Sequence, residues 1–541
     1  MPQLQINQGP QDALLYDNSK SYFTNVGYVR TSNFQMELRD ISSQNNAALG
    51  QTVQWVIPKA ADLLGPVDLV CEFGAGSAPQ TGSAVGAYSS FVEAVGHAMI
   101  EKITLSVGSN DIETISGEQL HIVNELMRGN EARLGKKQIL KTGAPAVRIQ
   151  KADASTDSTV PITEADNGRL IGIDATAKGG QKLIVPLGLF FTKHPSQYFP
   201  LAAIAGCNDV RISIKFRPLK EIVQLGYHDY ANDGTSNKIT GAQSATTGGT
   251  AAAAHTPSID FVTGSCKLRC QYVHVTGPEA TTLMNKEHVR LMKPWGNPQQ
   301  AIFKAAADGS PCKLDMDLSF LHPVQELVIV IRKRSEINGS TLSVPLQNEA
   351  DQGAKTKNYF AFHGSGKDPN VDSLKKRCII GGGTEATDTA LAGLDTACIG
   401  NSTLELKDIK LTLNGQERHP GLDSSAIDRN YLMNRLIPML HSNTSTHFQD
   451  LPDSDSAATH SLNQLAEQLD RKEVYVYPFA LAPENQNPSG AVNFSKVSHA
   501  KLTMNFTSVG STAAEEFQAD VWGVHYNWLQ IKDGRALTSF A

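Results

Sequence analysis

The chain is short of several things, and each scarcity removes a class of function. Lysine and arginine total 48 against 54 acidic residues in 541, with both signs mixed along the sequence. No basic stripe is available to grip nucleic-acid phosphates, and there is no acidic tail. Cysteines number seven, at positions 71, 207, 266, 270, 312, 378 and 398. Cys266 and Cys270 form the one close pair. On one face of a strand they would stand about 13 Å apart, too far for one disulfide or one metal ion. Reduced, partly buried thiols are the expectation. No apolar run approaches the ~20 residues that a membrane span needs. Met1-Pro-Gln-Leu-Gln-Ile-Asn has neither the basic start nor the apolar core of a signal peptide. The expectation is a soluble chain that folds in a reducing compartment.

Catalytic signatures are missing too. Gly-x-Ser-x-Gly and His-Glu-x-x-His do not occur. Ala361-Phe-His-Gly-Ser-Gly-Lys-Asp368 looks like a phosphate-binding loop but has Ala361 where a glycine is required. It also has Asp368 where a serine or threonine should follow the lysine. The fifteen histidines never cluster at ligand spacing, and His194, His322 and His419 each precede a proline, which places them at turns. Asp315 and Asp317 share one face of an alternating segment beside Lys313 and read as a solvated face. No catalytic, cofactor-binding or metal-binding residue is therefore expected. Asn338, Asn401 and Asn443 begin formal glycosylation sequons in expected loops. Asn493 and Asn505 begin two more beside or within strands and read as structural.

What is present is β-structure. Hydrophobic residues make up 40% and charged residues 19%, the balance of a folded globular protein with room for two to four cores. Beyond a polar arm at 1–24, the dominant period is two. Val53, Trp55 and Ile57 alternate with polar neighbours, as do Ile103, Leu105 and Val107, and Val210, Ile212, Ile214 and Phe216. Gly117–Leu126 has helical spacing, and 279–286 has helical composition and reads as a linker. Low-complexity loops are expected at about 74–90, 128–180 and 231–258.

The second half echoes the first in order. Pro66-Val67 and Leu69-Val70 return as Pro323-Val324 and Leu327-Val328. Ile103-Thr-Leu-Ser-Val-Gly108 returns as Ile409-Lys-Leu-Thr-Leu-Asn-Gly415, and Val210–Phe216 as Ala500–Phe506. The offsets are roughly 260, 310 and 290 residues, as expected of two copies of one unit with unequal loops near 333–400 and 414–472. Short strands with Gly/Pro punctuation favour a sandwich or jelly roll for each copy. In Val474–Phe506, Tyr475, Tyr477 and Phe479 read as one face of a half-buried strand. Pro478, Pro483 and Pro488 then end the ladder, and Gly490 supplies a turn at positive φ.

That last stretch carries a resemblance. Tyr477-Pro-Phe-Ala-Leu-Ala-Pro-Glu484 and Pro488-Ser-Gly-Ala-Val-Asn-Phe-Ser-Lys496 resemble a signature of the major capsid proteins of nucleocytoplasmic large DNA viruses, with lysine for the usual arginine. Tyr28-Val-Arg-Thr-Ser-Asn-Phe34, Gly96-His-Ala-Met-Ile100 and Gly117-Glu-Gln-Leu120 are similar to first-domain motifs of that family. Leu413-Asn-Gly-Gln-Glu-Arg418 and Tyr526-Asn-Trp-Leu-Gln-Ile531 are similar to second-domain motifs.

The resemblance implies an all-β double jelly roll of two eight-stranded sandwiches. The expected parts are an arm at 1–24, a first domain at 25–277, a linker at 278–287 and a second domain at 288–541. It implies a non-enzymatic shell protein of the virion, assembled in the host cytoplasm, that trimerises into pseudo-hexagonal capsomers tiling an icosahedral capsid. The implied partners are neighbouring capsomers and, on the inner face, minor capsid and membrane-associated proteins. Nucleic acid, cofactor and small-molecule substrate are not among them. The alternative weighed is a minor capsid or fibre-like jelly roll that recognises carbohydrate.

Overall fold

The computed structural model describes residues 32–74, 85–92, 94–126, 170–171, 181–204, 206, 208–229 and 259–305 of the first part of the chain. In the remainder it describes 311–338, 357, 359–360, 362, 404–419, 425–441, 473–508 and 516–540. The expected arm at 1–24, Asn401, Asn443, Cys207, Cys378, Cys398 and most of 361–368 lie outside these residues.

Eight strands organise the first half: β1 (Phe34–Ser42), β2 (Thr52–Ile57), β3 (Leu63–Phe73), β4 (Ile100–Val107), β5 (Asn110–Ser116), β6 (Gln181–Pro186), β7 (Val210–Phe216) and β8 (Lys267–Val275). They form two antiparallel sheets whose main paths run β1-β8-β3-β6 and β2-β7-β4-β5. The second half supplies β9 (Gln299–Lys304), β10 (Pro311–Leu318), β11 (Pro323–Lys333), β12 (Leu404–Leu413), β13 (Gln416–Glu417), β14 (Val474–Pro478), β15 (Ala500–Ser508) and β16 (Glu516–His525). Their sheets run β9-β16-β11-β14 and β10-β15-β12-β13. Adding eight to each label of the first half reproduces the second. Early and late strands interleave within every sheet, which is the jelly-roll topology. The chain is a double jelly roll.

The period of two explains why these segments become strands. In β7, Val210, Ile212, Ile214 and Phe216 are all buried, while Arg211, Ser213 and Lys215 face outward. Ile212 stands opposite Trp55 of β2 and Leu105 of β4, so one stripe from three strands fills the core. Each such side chain contributes about 1.5–3 kcal/mol by leaving water. In the second half Ala500, Leu502, Met504 and Phe506 do the same on β15. Phe506 stacks on Phe303, which in turn stacks on Phe517, with ring centroids 4.8 and 5.9 Å apart.

The structure corrects three expectations. Val474–Tyr477 is not half-buried; all four residues are buried. Its inward face meets the core, and its outward face is covered by the helical residues 431–440 and by the Gly117–Leu126 helix of the other half. The stretch expected as a Gly/Ser/Ala loop at 74–90 contains a strand, Val85–Phe91, paired with Val223–Asp229 and Leu170–Ile171. Backbone pairing there overrides a weak side-chain propensity. The positive φ expected at Gly490 is found, but the turn falls earlier, at Pro483-Glu484, and 488–490 form none. The φ of Gly490 is +133°, and a Cβ there would sit 2.9 Å from the Phe479 carbonyl oxygen.

Candidate functional site: the seam between the two halves

The polar chemistry of this molecule gathers where one half meets the other. It starts from helix α1, Gly117–Leu126. Ser116 and Gln119 cap it reciprocally: Gln119 N–H donates to Ser116 Oγ (3.2 Å), and Ser116 N–H donates to Gln119 Oε1 (2.9 Å). That is a capping box. Gly117 is required because a Cβ would lie 2.3 Å from the carbonyl oxygens of His97 and Ile100. Glu118 sits in the first turn, where the helix dipole favours an anion.

Glu118 reaches across the seam. Arg332 of β11 donates to it at 3.0 Å, and Arg217 of its own half pairs with it at 3.3 Å. Arg332 also pairs through Nε with Asp520 of β16 at 2.9 Å, and Gln518 Nε2 donates to the other oxygen of Asp520 at 2.8 Å. Asp520 is 0% exposed and Arg332 3%. Burial alone would lower the pKa of Arg332; Glu118 and Asp520 outweigh it and raise the value. Arg217 donates to the carbonyls of Ala98 and Ile100 and lies 3.8 Å from the ring centroid of Tyr359. The Tyr359 hydroxyl donates a hydrogen bond to Glu221 at 2.7 Å. Two cations, Arg217 and Arg332, and the anions Glu118 and Asp520 thus close a network that ties β11 and β16 to α1.

A second cluster lies farther along β11, at Glu326. His441 is held between Glu326 (3.1 Å from Nε2) and Glu484 (3.2 Å from Nδ1). Burial disfavours its charge, but the two carboxylates prevail and raise its pKa to about 9. Lys293 donates to the carbonyls of Pro483 (2.7 Å) and Asn485 (2.5 Å), and burial lowers its pKa to about 8. These groups border a cavity of about 60 Å³ that Val123, Leu126 and Phe190 close from the first half. Its size suits a few waters. Nearby, Gln197 donates to Gln486 (2.7 Å) and Arg290 to the Ser196 carbonyl (2.5 Å). Asn208 donates to the Gly534 carbonyl (2.8 Å), and Ile204 bridges to Gly534. The seam is stitched along its length.

The residues singled out from sequence do not meet there. Asp315 is exposed, accepts from Thr503 (2.6 Å) and pairs with Lys313 and Lys501; Asp317 is exposed beside it. His194 accepts from Ser196 N–H at a turn, and His322 adopts a left-handed φ of +69°. Cys266 and Cys270 are buried free thiols whose pKa burial raises to about 12. Asn493 accepts from Ser495 N–H, and Asn505 donates to Asp408. Asn338 is exposed at the end of the short helix Arg334–Asn338. Sequence reading missed Glu118, Arg217, Arg332, His441 and Asp520. The available signal was a charge inside an otherwise apolar strand, as in Leu327-Val-Ile-Val-Ile-Arg332 and Phe517-Gln-Ala-Asp-Val-Trp522.

The comparisons with known proteins agree with this architecture. The family model described as "Major capsid protein N-terminus" matches residues 21–261. The major capsid protein of Phaeocystis pouchetii virus is 23% identical over 98% of this chain and 97% of its own length. Over nearly its whole length this chain is similar to a major capsid protein of a large DNA virus. The capsid protein of Chrysochromulina ericina virus is 21% identical, again over 98% of this chain and 97% of its own. Among solved structures, the Faustovirus major capsid protein superposes with a TM-score of 0.55 at 12% identity. It covers 95% of this chain and 93% of that one. The chain of the PBCV-1 virus capsid superposes at 0.54 and 17% identity, over 96% and 100%. At such identities the superpositions speak for the double jelly roll. Both viral relatives are named as major capsid proteins.

Proposed function

We propose that this chain is a non-enzymatic shell protein of a virion, that three copies close into a pseudo-hexagonal capsomer and that capsomers tile an icosahedral shell. The observation that carries the proposal is the repeated topology, β1–β8 against β9–β16. Three chains with two like halves each present six like sides, and six sides pack on a hexagonal lattice. The seam suits this role: it fixes the angle between halves with buried ion pairs, which a lattice unit needs more than motion. The domain assignment follows the same logic, with a first jelly roll at 25–277, a linker at 278–287 and a second jelly roll at 288–541. Neighbouring capsomers, minor capsid proteins and membrane-associated proteins under the shell are the partners proposed, with assembly in the host cytoplasm. Sedimentation of the purified chain tests the reading. A trimer that persists on dilution to low micromolar concentration is the expected result, and a monomer there contradicts it.

A further inference from the structure

The two halves share a topology but not the state of their outer faces. On the β9-β16-β11-β14 sheet every interior position of β11 and β16 is buried, because α1 and its neighbours from the first half lie on it. On the corresponding β1-β8-β3-β6 sheet the outward face is only partly covered, although Val70 on β3 is buried. Asp68 and Glu72 on β3 and Arg269 and Gln271 on β8 are partly exposed. Phe34, Met36 and Leu38 along β1 are 58%, 58% and 69% exposed.

The chain also holds an unused counterpart of the covering element. Helix α1 lies between the fifth and sixth strands of its half, with Leu120 against Gly188 just past β6. Residues 431–440 lie between the fifth and sixth strands of the second half and pack on β14. Leu432, Met433, Leu436, Ile437 and Leu440 face inward, whereas Tyr431, Arg435 and Met439 are exposed. Within the chain, the anion Glu118 of α1 caps the cation Arg332 on the covered sheet. The open sheet presents the opposite sign. Arg269 is committed to Asp40 by two hydrogen bonds, 2.8 and 3.0 Å. Asp68, opposite Arg269 in the ladder, makes no hydrogen bond among the described residues. Arg435 likewise has no hydrogen bond or ion pair among them.

We infer that residues 431–440 of a second copy cover the open β1-β8-β3-β6 face, with Arg435 facing Asp68 and Tyr431 and Met439 beside the Phe34–Leu38 stripe. The contact is heterologous: second half of one copy on first half of the next. Such a contact generates a ring when the rotation closes. It repeats between copies what α1 does within one copy, so six like contacts alternate around the ring. The inference rests on the trimer reading above and specifies its interface.

Charge exchange tests it in the full-length chain. Asp68→Arg and Arg435→Asp should each raise the trimer dissociation constant about tenfold or more, as like charges face each other. The double variant should return to within about threefold of wild type. Met439→Lys should weaken the trimer and leave the melting temperature of the dissociated chain unchanged, since the side chain is exposed there. A trimeric wild type with trimeric single variants overturns the docking assignment and leaves the trimer reading standing. Weakened single variants that the double fails to rescue also overturn it, because the two residues then do not meet. A monomeric wild type removes the trimer reading, and this contact with it.

Discussion

The sheets β9-β16-β11-β14 and β1-β8-β3-β6 have the same strand order and opposite surroundings. One is covered by the chain itself; the other is only partly covered and ends in an exposed apolar edge strand. Because topology is common to both, the difference lies in the side chains that decorate the outer faces. The covered face carries Arg332, Asp520 and Gln518 in a closed network with Glu118, whereas the open face carries Asp68 without a hydrogen-bond donor among the described residues. A repeated domain can thus spend one face on internal rigidity and keep its equivalent for assembly.

Substitution at the covered face gives the largest expected effect. Arg332→Ala leaves Asp520 buried without its cation and should cost about 3–5 kcal/mol in a denaturant titration. Asp68→Ala on the open face should stay within about 0.5 kcal/mol for the monomer. Equal losses at the two sites would erase the contrast. Next comes Gly490→Val, in the proline-rich connection after β14. Positive φ and the nearby Phe479 carbonyl oppose any side chain, so a loss of about 1–3 kcal/mol is expected. An unchanged melting temperature would mean that the connection yields easily.

Two smaller effects are read through pH. His441 has a folded pKa of about 9, above its ordinary 6.5. Its contribution is complete below about pH 6.5 and is lost as pH rises through 9, worth at most about 3 kcal/mol. His441→Gln should flatten that decline in stability curves taken from pH 6 to 10. Glu113 of β5 accepts from the Phe190 N–H at 2.9 Å, and burial raises its pKa to about 7. Its stabilising effect is complete below about pH 4.5 and fades as pH rises through 7. Glu113→Gln should therefore narrow the difference between pH 5 and pH 8 melting temperatures. A variant with the wild-type slope would remove Glu113 from the account.

Much of the fold was legible beforehand because it depends on local alternation. Val210–Phe216 and Ala500–Phe506 announce their inward faces residue by residue, and Gly117–Leu126 has helical spacing and becomes a helix. The order of the three echoed segments placed β3 against β11, β4 against β12 and β7 against β15. The seam was illegible for a physical reason. Arg332 and Asp520 are 188 positions apart, and Glu118 lies 214 positions from Arg332. A charge in a strand reads as a solvated face until a distant partner buries it. The same reasoning misjudged Val474–Tyr477, whose second face is covered by helices from both halves.

A three-dimensional reconstruction of the purified assembly tests the central claim most directly. The account predicts residues 431–440 of one copy lying on β3 and β8 of the next, with Arg435 within ion-pair reach of Asp68. A closed assembly in which the β1-β8-β3-β6 face still looks onto solvent would contradict it.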